Sequence, residues 1–385
     1  MSPFKADIIG VGQTEYTRGT ERSESQQIIH AALEACKDAG IEPSAVDGVV
    51  MAWNDIPSNE DFINALGITD LRYHAHVHIG GASAAAAVGQ AAAAVTCGMA
   101  ENVLVTLGWN AYSSSHSFSS ADQTESAIYV PGLEIRKNIE MPLGIFAPMQ
   151  WYSFHANRWI HEYNIDPNAM RTVSLTTRKH ANLNPNAYFH SRQLSEEDYD
   201  NSKVLVKPFH LYDISLETDG AAAVLVSRKG NSKKGVAVLA STEGHADYPD
   251  DILGRRDILN MGITKAGPRA LQMAGVTTDD IDFAQLYDCF TFIVLRQLEE
   301  IGFCKRGESP DFVADGHIGL GGKLPVNTHG GLLSEAHVAG MNHIVEAVKQ
   351  LRGECGDRQV KDAEVGLVTG YGDFGDGSAL ILARN

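Results

Sequence analysis

Basic residues are scarce in this chain. Thirty-one lysines and arginines stand against 48 aspartates and glutamates, a formal net charge of −17. Nucleic-acid surfaces gain affinity by neutralising phosphates with clustered basic residues, so the charge balance excludes that class. The cysteines (Cys36, Cys97, Cys289, Cys304, Cys355) are an odd five with no Cys-x-x-Cys pair. Neither a disulfide framework nor a zinc site of familiar spacing is expected, and no metal is assigned. No apolar stretch reaches the ~18 residues that span a bilayer. The N-terminal MSPFKADIIGVGQTEY enters a strand pattern without the charged and apolar regions of a signal peptide. The expectation is a cytoplasmic protein without membrane contact. A phosphate-binding glycine fingerprint is missing too.

What is present is ordinary globular composition, 44% hydrophobic and 21% charged over 385 residues, enough for two domains or one large layered fold. Ala6 to Val11 is a short buried-strand run. SQQIIHAALEACKDAGIEP carries apolar residues at helical spacing and stops at Gly40, and VDGVVMAW gives a second strand. From His76, a Gly-Gly turn leads into an alanine-rich helix and then a strand from Asn102 to Leu107. A helix that small on every face belongs between close neighbours, in the middle of a layered fold. Between about 110 and 202 the periodicity weakens into an inserted loop region. There Trp151, Tyr152, Phe154 and Trp159 read equally as local packing or as a substrate wall. Ala222 to Val226 is a strand, and SRKGNSKKG after it is the candidate boundary between halves 1–230 and 231–385.

The second half repeats the first in order. AGPRALQMAGVTTDDIDFAQLYD has the form of AALEACKDAGIEPSAVDGVVMAW, and NTHGGLLSEAHVAGMNHIVEAVKQLRG followed by VGLVTGYG has the form of the Gly-Gly, helix, strand unit. Overlaying the Gly-Gly pairs sets Ala87 opposite His337, so one copy carries a small side chain where the other carries a polar one. The stretch VNTHGGLLSEAHVAGMNHIVEA reads as a strand end, a His-Gly-Gly turn and a long helix bearing His337 and His343. Adjacent glycines allow close backbone approach to a ligand, and a helix N-terminus offers free N–H groups to an oxyanion, so a site is expected here.

Two such halves, each with a Gly-Gly-led central helix, resemble the thiolase fold over nearly the whole chain. The resemblance implies an α/β, five-layered α-β-α-β-α architecture. It is sharpest for proteins related to the sterol carrier protein x thiolase. Their motifs are matched at Pro208, Phe209, Asp213 and Asp219 to Ala222; at Tyr287-Asp288-Cys289-Phe290; at Asn327, Gly330, Gly331 and His337; and in GYGDFGDGSALIL from Gly370. The departures are informative. A thiolase carries a nucleophilic cysteine at the start of its first central helix, where this chain has Gly81 in GGASA. Cys97 lies some four turns further along, Ser83 has no base beside it in any motif, and the second thiolase cysteine is replaced within Val368-Thr369-Gly370-Tyr371.

Tyr287 stands where the thiolase motif has histidine. In this the chain resembles the thiolase-like aldolases of bacterial steroid side-chain degradation, which lack both cysteines. The resemblance implies retro-aldol cleavage of a β-hydroxyacyl-CoA into a shorter acyl-CoA and a steroid ketone or aldehyde. It further implies a homodimeric core and a small zinc-ribbon/OB-fold partner that supplies CoA-binding surface. Coenzyme A enters as part of the substrate, and no cofactor is permanently bound. Release of acetyl-CoA and of propionyl-CoA both stay open. So do two other readings: a non-catalytic lipid or acyl-CoA-binding homologue, and an acyltransferase subunit of a larger complex.

Retro-aldol cleavage needs a base for the β-hydroxyl proton, an oxyanion site for the thioester enolate and an acid for its carbon. An unperturbed tyrosine, with a pKa of about 10, needs help to act as a base near neutrality, whereas imidazole near 6.5 does not. His337 is therefore assigned as base or proton relay and Tyr287 as the hydroxyl-contacting partner, with the roles exchangeable. His329, Asn327 and the amides at Gly330 and Gly331 are the oxyanion candidates, with Gly81 and Tyr371 also facing substrate.

Overall fold

A computed structural model describes residues 2–114, 136–247, 255–372 and 375–385. Its sheet is built from β1 (Ala6–Gln13), β2 (Gly48–Ala52), β3 (Tyr73–Val77), β4 (Asn102–Asn110), β7 (Asp219–Arg228), β8 (Val236–Gly244), β9 (Phe283–Gln285), β10 (Val365–Tyr371) and β11 (Gly377–Arg384). A separate hairpin pairs β5 (Val204–Val206) with β6 (Phe209–His210). The helices used below are α1 (Glu24–Ala39), α2 (Asn59–Leu66), α3 (Ser83–Thr96), α4 (Pro148–Tyr163), α5 (Asn168–Ala181), α6 (Ile263–Ala274), α7 (Thr291–Ile301) and α8 (Met341–Arg352).

The strand order β3-β2-β4-β7-β1-β8-β11-β10-β9 contains the same unit twice. In the first, β2 lies parallel between β3 and β4, then β7 and β1 follow antiparallel. In the second, β9 lies parallel to β10 and bridges Val326 through Ala284, then β11 and β8 follow antiparallel. Only two residue pairs, Asp7–Ala237 and Ile8–Val236, join β1 to β8. The sequence duplication is therefore a duplication of topology, down to the sense of each strand.

α1 covers β1, β4 and β7 from outside, and α6, backed by α7, covers β8 and β11. α3 and α8 each touch strands of both units, so they form the middle layer of an α-β-α-β-α stack. α1 begins where Ser23 and Gln26 close a reciprocal capping box, and it ends at Gly40 in the left-handed conformation. α3 has no side-chain cap. Its run of alanines is buried on nearly all sides, which lets two sheet units and α8 approach it together. Among the described residues no helix is long and apolar enough to cross a membrane.

Two expectations need revision. The serine-rich part of the insertion, residues 115–135, lies outside the described residues, but its remainder is not all loop: it includes the long helices α4 and α5. On α4, Trp151 donates its indole N–H to Glu140 (2.7 Å) and Trp159 to Glu299 (3.1 Å), so both are packing residues. The second revision concerns His337, which is not on a helix. Gly331–Glu335 makes a single π-type turn, Ala336 is extended (φ −171°), and Ala339 and Gly340 have φ of +40° and +88° before α8 begins at Met341. Two successive positive φ values break the helix that the apolar spacing implied. The overlay of Ala87 on His337 consequently fails, since Ala87 lies inside α3. His343, by contrast, is in the first turn of α8.

Candidate active site

The site is built at the end of β9, where the chain leaves the sheet as Leu286-Tyr287-Asp288. Asn327, with φ of +53°, spends both ends of its amide on Leu286, accepting from its N–H (2.7 Å) and donating to its carbonyl (2.8 Å). Tyr287 is pinned on both sides, its N–H donating to Thr369 Oγ1 (3.0 Å) and its carbonyl accepting from Gln297 (2.7 Å). Thr369 in turn donates to Gln297 (2.6 Å). A phenol fixed this way from a strand end has little freedom to drift.

His337 reaches Tyr287 from the opposite wall. Its Nε2 is 3.3 Å from Tyr287 Oη, its Nδ1 is 3.2 Å from Ser215 Oγ, and its backbone N–H donates to Thr218 Oγ1 (2.9 Å). Trp109 meets the imidazole edge-on, 5.3 Å between ring centres. Burial, then the nearby His343, pushes the His337 pKa down to about 3, so the ring is neutral across the physiological range.

Gly81 is the third element. A Cβ built on it would lie 2.3 Å from Tyr287 Cζ and Oη and 2.4 Å from the Tyr371 carbonyl. The place a side chain would take at the head of α3 is filled by the phenol of Tyr287. Ser83, the nearest hydroxyl, is occupied locally: it donates to Gly80 (2.6 Å) and accepts from Ile79 (2.9 Å).

The remaining sequence candidates divide. Gly330 and Gly331 lie next to the site, but the neighbouring amides are engaged. Gly330 donates to Asn327 (2.9 Å), and Leu332 and Leu333 donate to Asp288 (2.7 and 3.4 Å). Gly331 must be glycine, because φ is +60° and a Cβ would stand 2.0 Å from Asp288 Oδ2. His329 is one layer back, with Nε2 2.9 Å from His343 Nδ1 and 3.5 Å from Glu335 Oε2. Burial lowers its pKa, with His343 adding to the effect. Tyr371 is buried against Gly81 with its ring 6.0 Å from Tyr152, and its hydroxyl has no hydrogen-bond partner among the described residues. Burial pushes its pKa up, which keeps it a proton donor.

Sequence reasoning missed Ser215 and Thr218, which orient His337. It also missed Glu335, held by Asn184 and Asn342 (2.8 Å each) and pushed up to about 8 chiefly by burial. The only signal was their position inside or beside the motif blocks.

Comparison with known proteins gives the chain a family. The thiolase C-terminal domain-like family matches residues 244–384. A steroid side-chain-cleaving aldolase of Thermomonospora curvata is 38% identical over 369 residues, covering 91% of each chain. This chain belongs to the thiolase superfamily, beside the steroid side-chain-cleaving aldolases. A 17-hydroxy-3-oxo-4-pregnene-20-carboxyl-CoA lyase of Mycobacterium tuberculosis is 35% identical, covering 92% of this chain and 93% of its own. A solved Ltp2-ChsH2(DUF35) aldolase superimposes with a TM-score of 0.90 at 36% identity, over 99% of this chain and 98% of its own.

Within this thiolase-superfamily site, the depressed pKa of His337 makes a pH prediction. If the neutral imidazole is the working form, kcat/KM should stay level from about pH 7 down to about 5, since protonation sets in only toward pH 3. An imidazole with the ordinary value near 6.5 would instead lose about tenfold per pH unit below it. A kcat/KM profile that falls through 6.5 on the acid side would show that His337 is not shielded in this way.

Proposed function

We propose that this chain is a carbon–carbon lyase that splits a β-hydroxyacyl-CoA on a steroid side chain by a retro-aldol step. The products are a shorter acyl-CoA and a steroid ketone or aldehyde. The observation that carries the reading is the pairing of Gly81 with Tyr287. Where acyl transfer requires a nucleophile at the head of α3, there is no side chain, and a phenol hydroxyl 3.3 Å from a neutral imidazole occupies the space.

In this reading Tyr287 contacts the β-hydroxyl and passes its proton to His337 Nε2, while Nδ1–H donates to Ser215. As the O–H electrons form the new carbonyl, the bond between the α- and β-carbons breaks and its pair moves into the thioester as an enolate. Burial makes His337 a weak base at rest, but the imidazolium faces the enolate charge that forms in the same step, which offsets the cost of charging it. The proton then returns to the α-carbon, and the acyl-CoA leaves. The Tyr371 hydroxyl, without a hydrogen-bond partner among the described residues, suits the enolate oxygen. Asn327, Gly330 and Gly331 act one step removed, by fixing Leu286 and Asp288 and so the direction of Tyr287, and His329 supports His343 behind them.

The assembly is part of the proposal: a homodimeric core with a small zinc-ribbon/OB-fold partner that contacts the CoA moiety, in the cytoplasm, where the five free thiols stay reduced. The two-component name of the solved Ltp2-ChsH2(DUF35) relative and the lack of a basic nucleotide loop support a partner.

The test uses a steroid β-hydroxyacyl-CoA, the chain alone and the chain co-expressed with such a partner. Cleavage to a carbonyl compound and a shorter acyl-CoA without added free CoA is expected, faster with the partner. A strict requirement for free CoA, or an acylated protein mass, would overturn the retro-aldol step. Full activity of the chain alone would remove the partner.

A further inference from the structure

The four tryptophans of the chain fall into two kinds. Trp151 and Trp159 are buried with their indoles bonded to glutamates. Trp53 and Trp109 are half-buried and packed on each other, 5.5 Å between ring centres at 30°. Trp109 also meets His337 at 5.3 Å. Of the residues described above against His337, Tyr287, Ser215 and Thr218 are buried, and Trp109 is half-buried. Trp109 thus sets a partly exposed apolar ring directly against the imidazole.

Trp53 is there at a cost to the backbone. Its φ is +74°, a left-handed conformation that is an outlier for so bulky a residue. The surroundings hold it: its N–H donates to Val77 (2.9 Å), and its carbonyl is met by His78 Nδ1 and by His76 Nε2 (3.4 Å). Strain of this kind persists where neighbours over-determine it and clusters where ligands bind. Here it holds the second indole against the first.

The chemistry of the reaction says what such a surface is for. In the substrate that names the 17-hydroxy-3-oxo-4-pregnene-20-carboxyl-CoA lyase, the β-carbon that becomes the ketone is itself a ring carbon, while the CoA leaves from the other side. A rigid apolar ring system must then lie directly beside the groups that take the β-hydroxyl proton, and it needs a flat apolar wall there. Resting on the retro-aldol reading, we propose that Trp53 and Trp109 form that wall and set the preference for a fused-ring acyl-CoA over a linear one.

The readout is discrimination: kcat/KM for a steroid β-hydroxyacyl-CoA divided by that for a linear β-hydroxyacyl-CoA. Trp53→Ala and Trp109→Ala should each lower this ratio about tenfold or more, on the scale by which apolar pocket contacts discriminate, and Trp109→Phe should restore part of it. Trp53 has no described contact with His337 or Tyr287, so its variant separates wall from catalyst. An unchanged ratio, with both substrates falling together, would make these residues mere supports for His337 and overturn the proposal. The affinity for a steroid acyl-CoA lacking the β-hydroxyl, read by calorimetry, should weaken in parallel. If the wild type cleaves neither substrate, the retro-aldol reading falls, and this affinity alone decides the wall: weakening sustains it, and unchanged binding sinks it.

Discussion

Tyr287→Phe is expected to lower kcat about 10²-fold or more, the scale of a positioned acid–base group, and His337→Ala to do at least as much. Phenylalanine keeps the ring packed against Gly81 and Gly340 and removes only the hydroxyl that faces His337 Nε2, so stability should hardly change. Because phenol and imidazole act on one proton, the double variant should cost little more than the worse single one, and a thermodynamic cycle would show strong coupling. Additive losses would mean that the two groups serve separate steps. Wild-type kinetics in either variant would take that residue out of the site.

The duplicated fold was legible because it rests on signals that local chemistry writes into sequence. Helical spacing from Ser25 that stops at Gly40 marked α1, and the alanines of α3 announced a buried middle layer. The Gly-Gly block also marked the site, but for a reason the sequence hid. Its glycines open only a single π-type turn. Gly331 admits the Asp288 carboxylate, which takes the amides of Leu332 and Leu333. That engagement depends on residues 44 and 45 positions apart in the chain, which no local pattern encodes. The helix was overextended for the same kind of reason. Apolar spacing runs through 332–348, but Thr218, from the other half, captures the His337 amide, and the backbone at Ala339 and Gly340 turns left-handed. Asn327, an oxyanion candidate by its motif position, puts its Oδ1 and one Nδ2–H on Leu286, a pairing that no local pattern encodes.

Gly81 carries the second large expectation. Alanine there would put a Cβ 2.3 Å from the Tyr287 hydroxyl and 2.4 Å from the Tyr371 carbonyl, closer than real contacts allow. The carbonyl belongs to β10 and cannot yield easily, so the phenol must move. Overpacking of this kind costs about 1–3 kcal/mol of stability. A phenol displaced by about 1 Å from its working position should cost about 10²-fold in turnover. Gly81→Cys should behave no better and should not regain thiolase activity, because Tyr287 fills the space the sulfur needs. Two double variants separate the causes. Gly81→Ala with Tyr287→Ala removes the obstructing ring, so it should be about as stable as Tyr287→Ala alone, though less stable than the wild type and without activity. Gly81→Ala with Tyr287→Phe keeps the clashing ring carbon and should recover neither stability nor activity. Denaturation midpoints and kcat measured on these variants and on Tyr287→Ala decide it. If Gly81→Ala alone folds and turns over like the wild type, Tyr287 does not hold the nucleophile's place, and the structural case against a covalent mechanism is lost.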